Sequence, residues 1–169
     1  MSGKCSNRAL KILSEQLGKL NPAKTVIIGI GNTLKGDDGA GPHLCNILRD
    51  KIAVEIIDAG TTPENYIAKI VKMSPDKLLI IDAVDFGVAP GTAKILDIKD
   101  FSKFLLSTHS LSPHLFIEAI RSEIDVEVIF IGIQPANLKL GQGLSKQVSD
   151  AIAVLAGNLT SALTHKSSH

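Results

Sequence analysis

The sequence predicts an α/β fold, a three-layer sandwich in which a mostly parallel, twisted sheet carries helices on both faces. Two observations predict it. Short runs rich in Val, Ile and Leu alternate along the 169 residues with stretches of helical periodicity. The apolar runs are continuous rather than alternating, as strands buried on both faces read. Residues 1–169 suit a single domain, with 1–22 as a helical extension and 164–169 as a polar tail.

Each element has its own signal. Leu10, Leu13, Leu17 and Leu20 recur at helical spacing, with Ser6 or Asn7 as cap and Asn21-Pro22 as breaker. Thr25 to Ile30 is the first strand. A Gly-rich loop follows, then a helix from Pro42 to Ile52, with Pro42 suited to its first position. Val54 to Asp58 is the second strand, and Pro63 to Met73 a helix capped by Thr62. Leu78 to Asp82 is the third strand. Pro90-Gly91 makes a turn, and Ala93 to Ile98 is a candidate edge strand, antiparallel to the rest. Ser112 to Ser122 reads as a helix, Val126 to Ile133 as a strand, and Leu144 to Leu163 as the closing helix.

Composition removes several classes of function. A net charge of +1 gives no strong electrostatic claim on nucleic acid or anionic membrane. The absence of Trp argues against stacking platforms for single strands. No run approaches the roughly 18 apolar residues of a membrane helix. The amino-terminal stretch carries charges at Lys4, Arg8, Lys11, Glu15 and Lys19, unlike the apolar core of a secretory signal. Cys5 and Cys45 are too few for a disulfide framework. The expected setting is the cytoplasm, and a monomer is favoured.

In an open α/β sheet, ligands bind beyond the carboxyl ends of the strands. The first strand ends in Gly29-Ile30-Gly31-Asn32-Thr33-Leu34-Lys35-Gly36-Asp37-Asp38-Gly39. The third glycine of a dinucleotide motif is replaced by Leu34, and no Gly-Lys-Ser/Thr follows. Asp37 and Asp38 would repel a phosphate at the helix start. A nucleotide site is thereby disfavoured, and no organic cofactor is expected.

Carboxylates suit a cation instead. Asp38 follows strand one, Asp82 ends strand three, and His109 lies on a polar loop ahead of a helix. Two carboxylates and an imidazole form a donor set fit for nickel, zinc or iron in the +2 state, with coordination positions left open. Each residue also has a plain structural role open to it. Asp38 could cap the helix near Pro42, Asp82 could bond neighbouring backbone, and His109 could be solvated. Asp58 and Asp85 lie near strand ends too, so the choice of carboxylates is ambiguous. His43, His114, His165 and His169 lack such context, and Cys45 reads as core.

Gly29-Ile30-Gly31-Asn32 followed by Gly36-Asp37-Asp38-Gly39-Ala40-Gly41-Pro42 resembles the opening loop of the nickel–iron hydrogenase maturation endopeptidases. Asp58-Ala59-Gly60-Thr61-Thr62-Pro63-Glu64-Asn65, Ile81-Asp82-Ala83-Val84-Asp85-Phe86-Gly87, Pro90-Gly91, Ser107-Thr108-His109 and Ile131-Gly132-Ile133-Gln134-Pro135 continue the likeness in order over residues 25–160. The Gly-Ile-Gln-Pro segment is most similar to the formate-hydrogenlyase-type branch. The residues 1–22 ahead of the first strand, and Ser110-Leu111-Ser112-Pro113-His114, depart from the family pattern.

The resemblance implies a partner and a reaction. Such proteases remove a carboxy-terminal extension from the hydrogenase large-subunit precursor after its nickel has been inserted. The family's nickel contacts and catalytic positions fall on Asp38, Asp82 and His109. Nickel would then arrive with the precursor's cysteines and assist hydrolysis, with an Asp as general base. No nucleophile-elbow Gly-x-Ser-x-Gly or His-Glu-x-x-His is present. Asp37 and Asp85 are expected to be comparably exposed, inert neighbours of the ligands. The segments after Gly36 and from Gly132 to Gln142 would flank a groove for the tail, with Gly141-Gln142-Gly143 flexible enough to close. The rival readings are a peptidase holding its own zinc and a non-catalytic nickel chaperone or binding module.

Overall fold

A computed structural model describes residues 15–103 and 112–164. Five strands form one sheet in the order β2-β1-β3-β5-β4: β1 Thr25–Ile30, β2 Glu55–Gly60, β3 Lys77–Ala83, β4 Ala93–Leu96 and β5 Glu127–Ile133. β2, β1, β3 and β5 run parallel, whereas β4 pairs antiparallel with β5, so the expected edge strand is present and reversed. β1 is buried along its whole length, as its unbroken Thr-Val-Ile-Ile-Gly-Ile run requires.

Helices α1 Ala40–Leu48, α2 Ile67–Met73, α3 Pro113–Arg121 and α4 Lys146–Thr164 cover the two faces. Leu44 and Leu48 of α1 and Ile152, Leu155 and Leu159 of α4 pack on Ile27, Leu79, Ile81 and Ile131. Leu17 and Leu20 join that side, fully buried. Residues 15–17 are helical, but 18–20 are not: the helix ends in a turn before Leu20, earlier than predicted, and its part ahead of residue 15 lies outside the described residues. The opposite face pairs Ile70 of α2 and Phe116, Ile117 and Ile120 of α3 with Ile28, Ile57, Leu78, Ile80 and Phe130. Each such fully buried side chain stabilises the fold by about 1.5–3 kcal/mol.

Two predicted helices differ in detail. α1 begins at Ala40 and ends at Leu48, not at Pro42 and Ile52, so Pro42 sits within the first turn rather than opening it. A 3₁₀ turn, Gly36–Gly39, leads directly into it. The segment from Pro63 opens as a 3₁₀ turn, Pro63–Tyr66, and becomes α-helical only at Ile67. Thr62 makes no side-chain capping bond there. Ser112, by contrast, caps α3 by accepting from the Leu115 N–H at 3.3 Å.

Candidate functional site

The strand order fixes where to look. From β1 the chain moves to β2 on one side, then returns to place β3 on the other. The crevice outside the carboxyl ends of β1 and β3 is therefore the switch point of this sheet. Asp38 lies on the turn after β1, and Asp82 is the penultimate residue of β3. Sheet topology thus brings these two predicted residues to one edge. Both are buried, Asp82 completely and Asp38 to 5% exposure.

Glycine allows this closeness. A Cβ on Gly31, whose φ is +146°, would stand 1.8 Å from the Asp38 carbonyl oxygen. A Cβ on Gly41 would stand 2.5 Å from both the Ile30 and Ile81 carbonyl oxygens. The first turn of α1 is consequently wedged against the ends of β1 and β3, and any larger residue would push it away.

Asp38 does not cap α1. The capping position is Gly39, without a side-chain bond. Instead Asp38 Oδ2 accepts the Asn32 N–H at 3.0 Å, which ties its carboxylate to the loop leaving β1. Asp82 follows Leu78 and Ile80 on the face covered by α2 and α3, by strand alternation. α3 runs back toward the start of β5, so its Ser112 cap is its end nearer the carboxyl edge. His109 and its Ser107–Ser110 loop lie outside the described residues. Among the described residues, no group of three His, Cys, Asp or Glu side chains gathers as a metal site.

Asp37 and Asp85 differ from the prediction. They are not comparably exposed: Asp37 is fully buried and Asp85 lies at the surface. Asp37 accepts three backbone N–H groups, from Ala136 at 2.7 Å, Asn137 at 3.1 Å and Ser145 at 2.6 Å. Asp85 accepts from the Gln134 side chain at 3.0 Å and from the Gly87 N–H at 3.1 Å. Those bonds, the Gln134 amide first, hold its carboxyl below the ordinary range.

Gln134 is a residue whose role sequence reasoning missed. Only 5% exposed, it accepts the Phe86 N–H at 2.9 Å through Oε1 while Nε2 donates to Asp85. It therefore fastens the turn after β3 to the end of β5. The signal is its place directly after the run Val128 to Ile133, six apolar or glycine residues, where a polar side chain meets the carboxyl end of the sheet.

The segment proposed to close is fastened too. The Gly141 N–H donates to the Leu34 carbonyl at 2.8 Å, and the Gly36 N–H to the Gln142 carbonyl at 3.0 Å. Cys45 is core, as predicted. Burial first, and then Asp58, push its thiol up to about 12, so it carries no thiolate near neutrality.

A sequence model of the hydrogenase maturation protease family, HycI, matches residues 42–162. The chain belongs to the hydrogenase maturation protease family. The matched span includes Asp82 and His109, and Asp38 precedes it. The hydrogenase 3 maturation protease of Escherichia coli K12 is 37% identical over 134 residues, 75% of this chain and 83% of that one. The crystal structure of the NiFe hydrogenase maturation protease HycI from Thermococcus kodakarensis superposes with a TM-score of 0.81 at 28% identity, over 90% of this chain and 98% of that one. The solution structure of an endopeptidase HycI from Escherichia coli gives 0.74 at 34% identity, over 82% and 90%. As a hydrogenase maturation protease the chain is a peptide hydrolase, and the mixed five-stranded sheet is the fold of these relatives.

Proposed function

We propose that this protein is the endopeptidase that removes the carboxy-terminal extension of a nickel–iron hydrogenase large-subunit precursor after nickel insertion. The observation that carries the reading is the pair of buried carboxylates, Asp38 and Asp82, at the switch point between β1 and β3. Buried carboxylates are costly and favour a compensating cation. Their oxygens, with the imidazole of His109, would offer nickel a partial coordination set and leave the remaining positions to the precursor's cysteines. The nickel belongs to the substrate, and the protease supplies Asp38, Asp82 and His109.

In this mechanism the docked nickel polarises the scissile carbonyl or lowers the pKa of the attacking water. One of the two Asp carboxylates takes the water's proton as general base. A precursor without nickel would lack the ion that draws it to the carboxylates, so cutting would wait for metal insertion. The disulfide-poor composition supports a cytoplasmic setting. Among the described residues, no helix is long and apolar enough to cross a membrane.

The test is cleavage of a cognate precursor, nickel-loaded or nickel-free, read by mass spectrometry. Loss of the tail from the loaded form alone is the expected result. Equal cutting of both forms would remove the metal check. Binding of loaded precursor with no tail lost would leave a nickel-binding module.

A further inference from the structure

The turn Gly36–Gly39 presents two adjacent carboxylates that face different partners. Asp38 bonds the loop on its own side, at Asn32. Asp37 reaches a segment about a hundred residues away. Its Oδ2 accepts from Ala136 and Asn137 and its Oδ1 from Ser145, while its own N–H donates to the Asn137 carbonyl at 2.9 Å. Ser145 in turn accepts the Val148 N–H at 3.3 Å through Oγ, in the first turn of α4. One buried side chain thus sets both ends of the segment 136–145.

That segment forms a wall beside the Asp38 turn. Lys35 and Leu140 pair in an antiparallel bridge, so Leu34 and the strip 138–140 run together at the surface. Beside the exposed Lys139 the strip shows solvent three large apolar side chains: Leu34 is 67% exposed, Leu138 43% and Leu140 75%. Three large exposed apolar side chains gathered beside two buried carboxylates form a surface that an apolar stretch of bound chain would cover.

We propose that Asp37 is a positioning residue for the precursor: by holding the wall 136–145 it sets substrate binding, and it takes no part in breaking the bond. This rests on the protease reading above. An ionised carboxylate only accepts, and all three partners are donors, so the match is complete. Asn cannot reproduce it, because its amide group turns a donor toward an N–H. Asp38 keeps its separate tie to Asn32 when Asp37 is changed, so the reacting end of the site stays in place.

The experiment compares wild type with Asp37→Asn for processing of nickel-loaded precursor, together with amide hydrogen exchange. KM is expected to rise about tenfold, the loss of one or two such bonds, with kcat within about twofold. Exchange should quicken at Ala136, Asn137 and Ser145 while β1 and β3 stay protected. A fall in kcat at unchanged KM would overturn the proposal, placing Asp37 at the reaction itself. A lower folded fraction whose surviving molecules show normal KM would also overturn it, leaving a purely structural role. Leu140→Ser, which leaves the Asp37 bonds intact, should raise KM with normal exchange; a normal KM there removes the wall as a contact. Direct binding of precursor to wild type and Asp37→Asn reads the same loss whether or not cutting follows. Absence of cleavage by the wild type therefore counts against the protease reading alone.

Discussion

The two ends of the parallel sheet treat charge in opposite ways. At the amino end lies a cleft of about 760 Å³ lined by Ile95, Asp97, His114, Glu118, Arg121 and Glu127. Its ionisable groups meet solvent, and the nearby Lys77–Glu127 pair is half open on the Glu side. At the carboxyl end Asp37, Asp38, Asp82 and Gln134 are all 5% exposed or less. Volume and buried charge therefore point to different places. The cleft costs little to maintain, because water solvates what lines it. Buried carboxylates must be compensated by fixed donors or cations, and a fold keeps them where that compensation is built in or brought.

The contrast is sharpest for activity. Replacing Asp38 or Asp82 by Ala should lower precursor processing about 10²–10⁴-fold, the range for loss of an acid–base or charge-stabilising group, with circular dichroism unchanged. Glu118→Ala in the amino-end cleft should leave the rate as it was; equal losses at both ends would break the comparison. For stability, Gly31→Ala should cost about 3 kcal/mol in denaturant unfolding, since its Cβ meets the Asp38 carbonyl at 1.8 Å. Gly60→Ala has a φ of +54° but nothing within 4 Å, and should cost only about 1 kcal/mol for the left-handed backbone.

Cys45 gives a smaller, pH-dependent effect. Its thiol holds a proton in the folded state up to about pH 12 but loses it near 9.0 when unfolded. Above that lower value the unfolded chain binds fewer protons, so stability falls as pH rises, at most about 1.4 kcal/mol per unit. Cys45→Ala should flatten that alkaline slope in thermal melts. Smallest of all, Lys77→Ala at the amino end should cost less than about 1 kcal/mol, as a partly exposed ion pair does.

Much of this architecture was legible in the residues. The bounds of β1 are plain because its apolar, mostly β-branched run between Pro22 and the glycine loop allows little else. The reversal of β4 fits the short Pro90-Gly91 turn, which leaves no room for a crossover helix. The start of α1 was misread because Gly39 and Gly41 look like loop residues. The bare Gly41 instead lets a helix pack against the ends of β1 and β3, and the bare Gly39 lets it approach Thr33 of the loop, tertiary demands that local propensity does not carry. Thr62 had the right chemistry for a cap, but the chain enters a tight 3₁₀ turn that its hydroxyl does not serve. Asp37 is the residue whose role the sequence hides most. Two consecutive carboxylates look equivalent on paper, and only the fold shows one turned toward Asn32 and the other toward Ala136 and Ser145.

The reach of Asp37 also bears on how the molecule comes into being. Its bonds span 99, 100 and 108 residues of chain. The turn that carries Asp38 is synthesised early, yet the amides that lock its neighbour emerge only with Ser145. Contacts of such long range close late, after the strands between them have paired. A nascent chain on the ribosome therefore holds its first carboxylate loop unlocked until the last helix begins to appear, and maturity of the enzyme waits on its own carboxyl-terminal third.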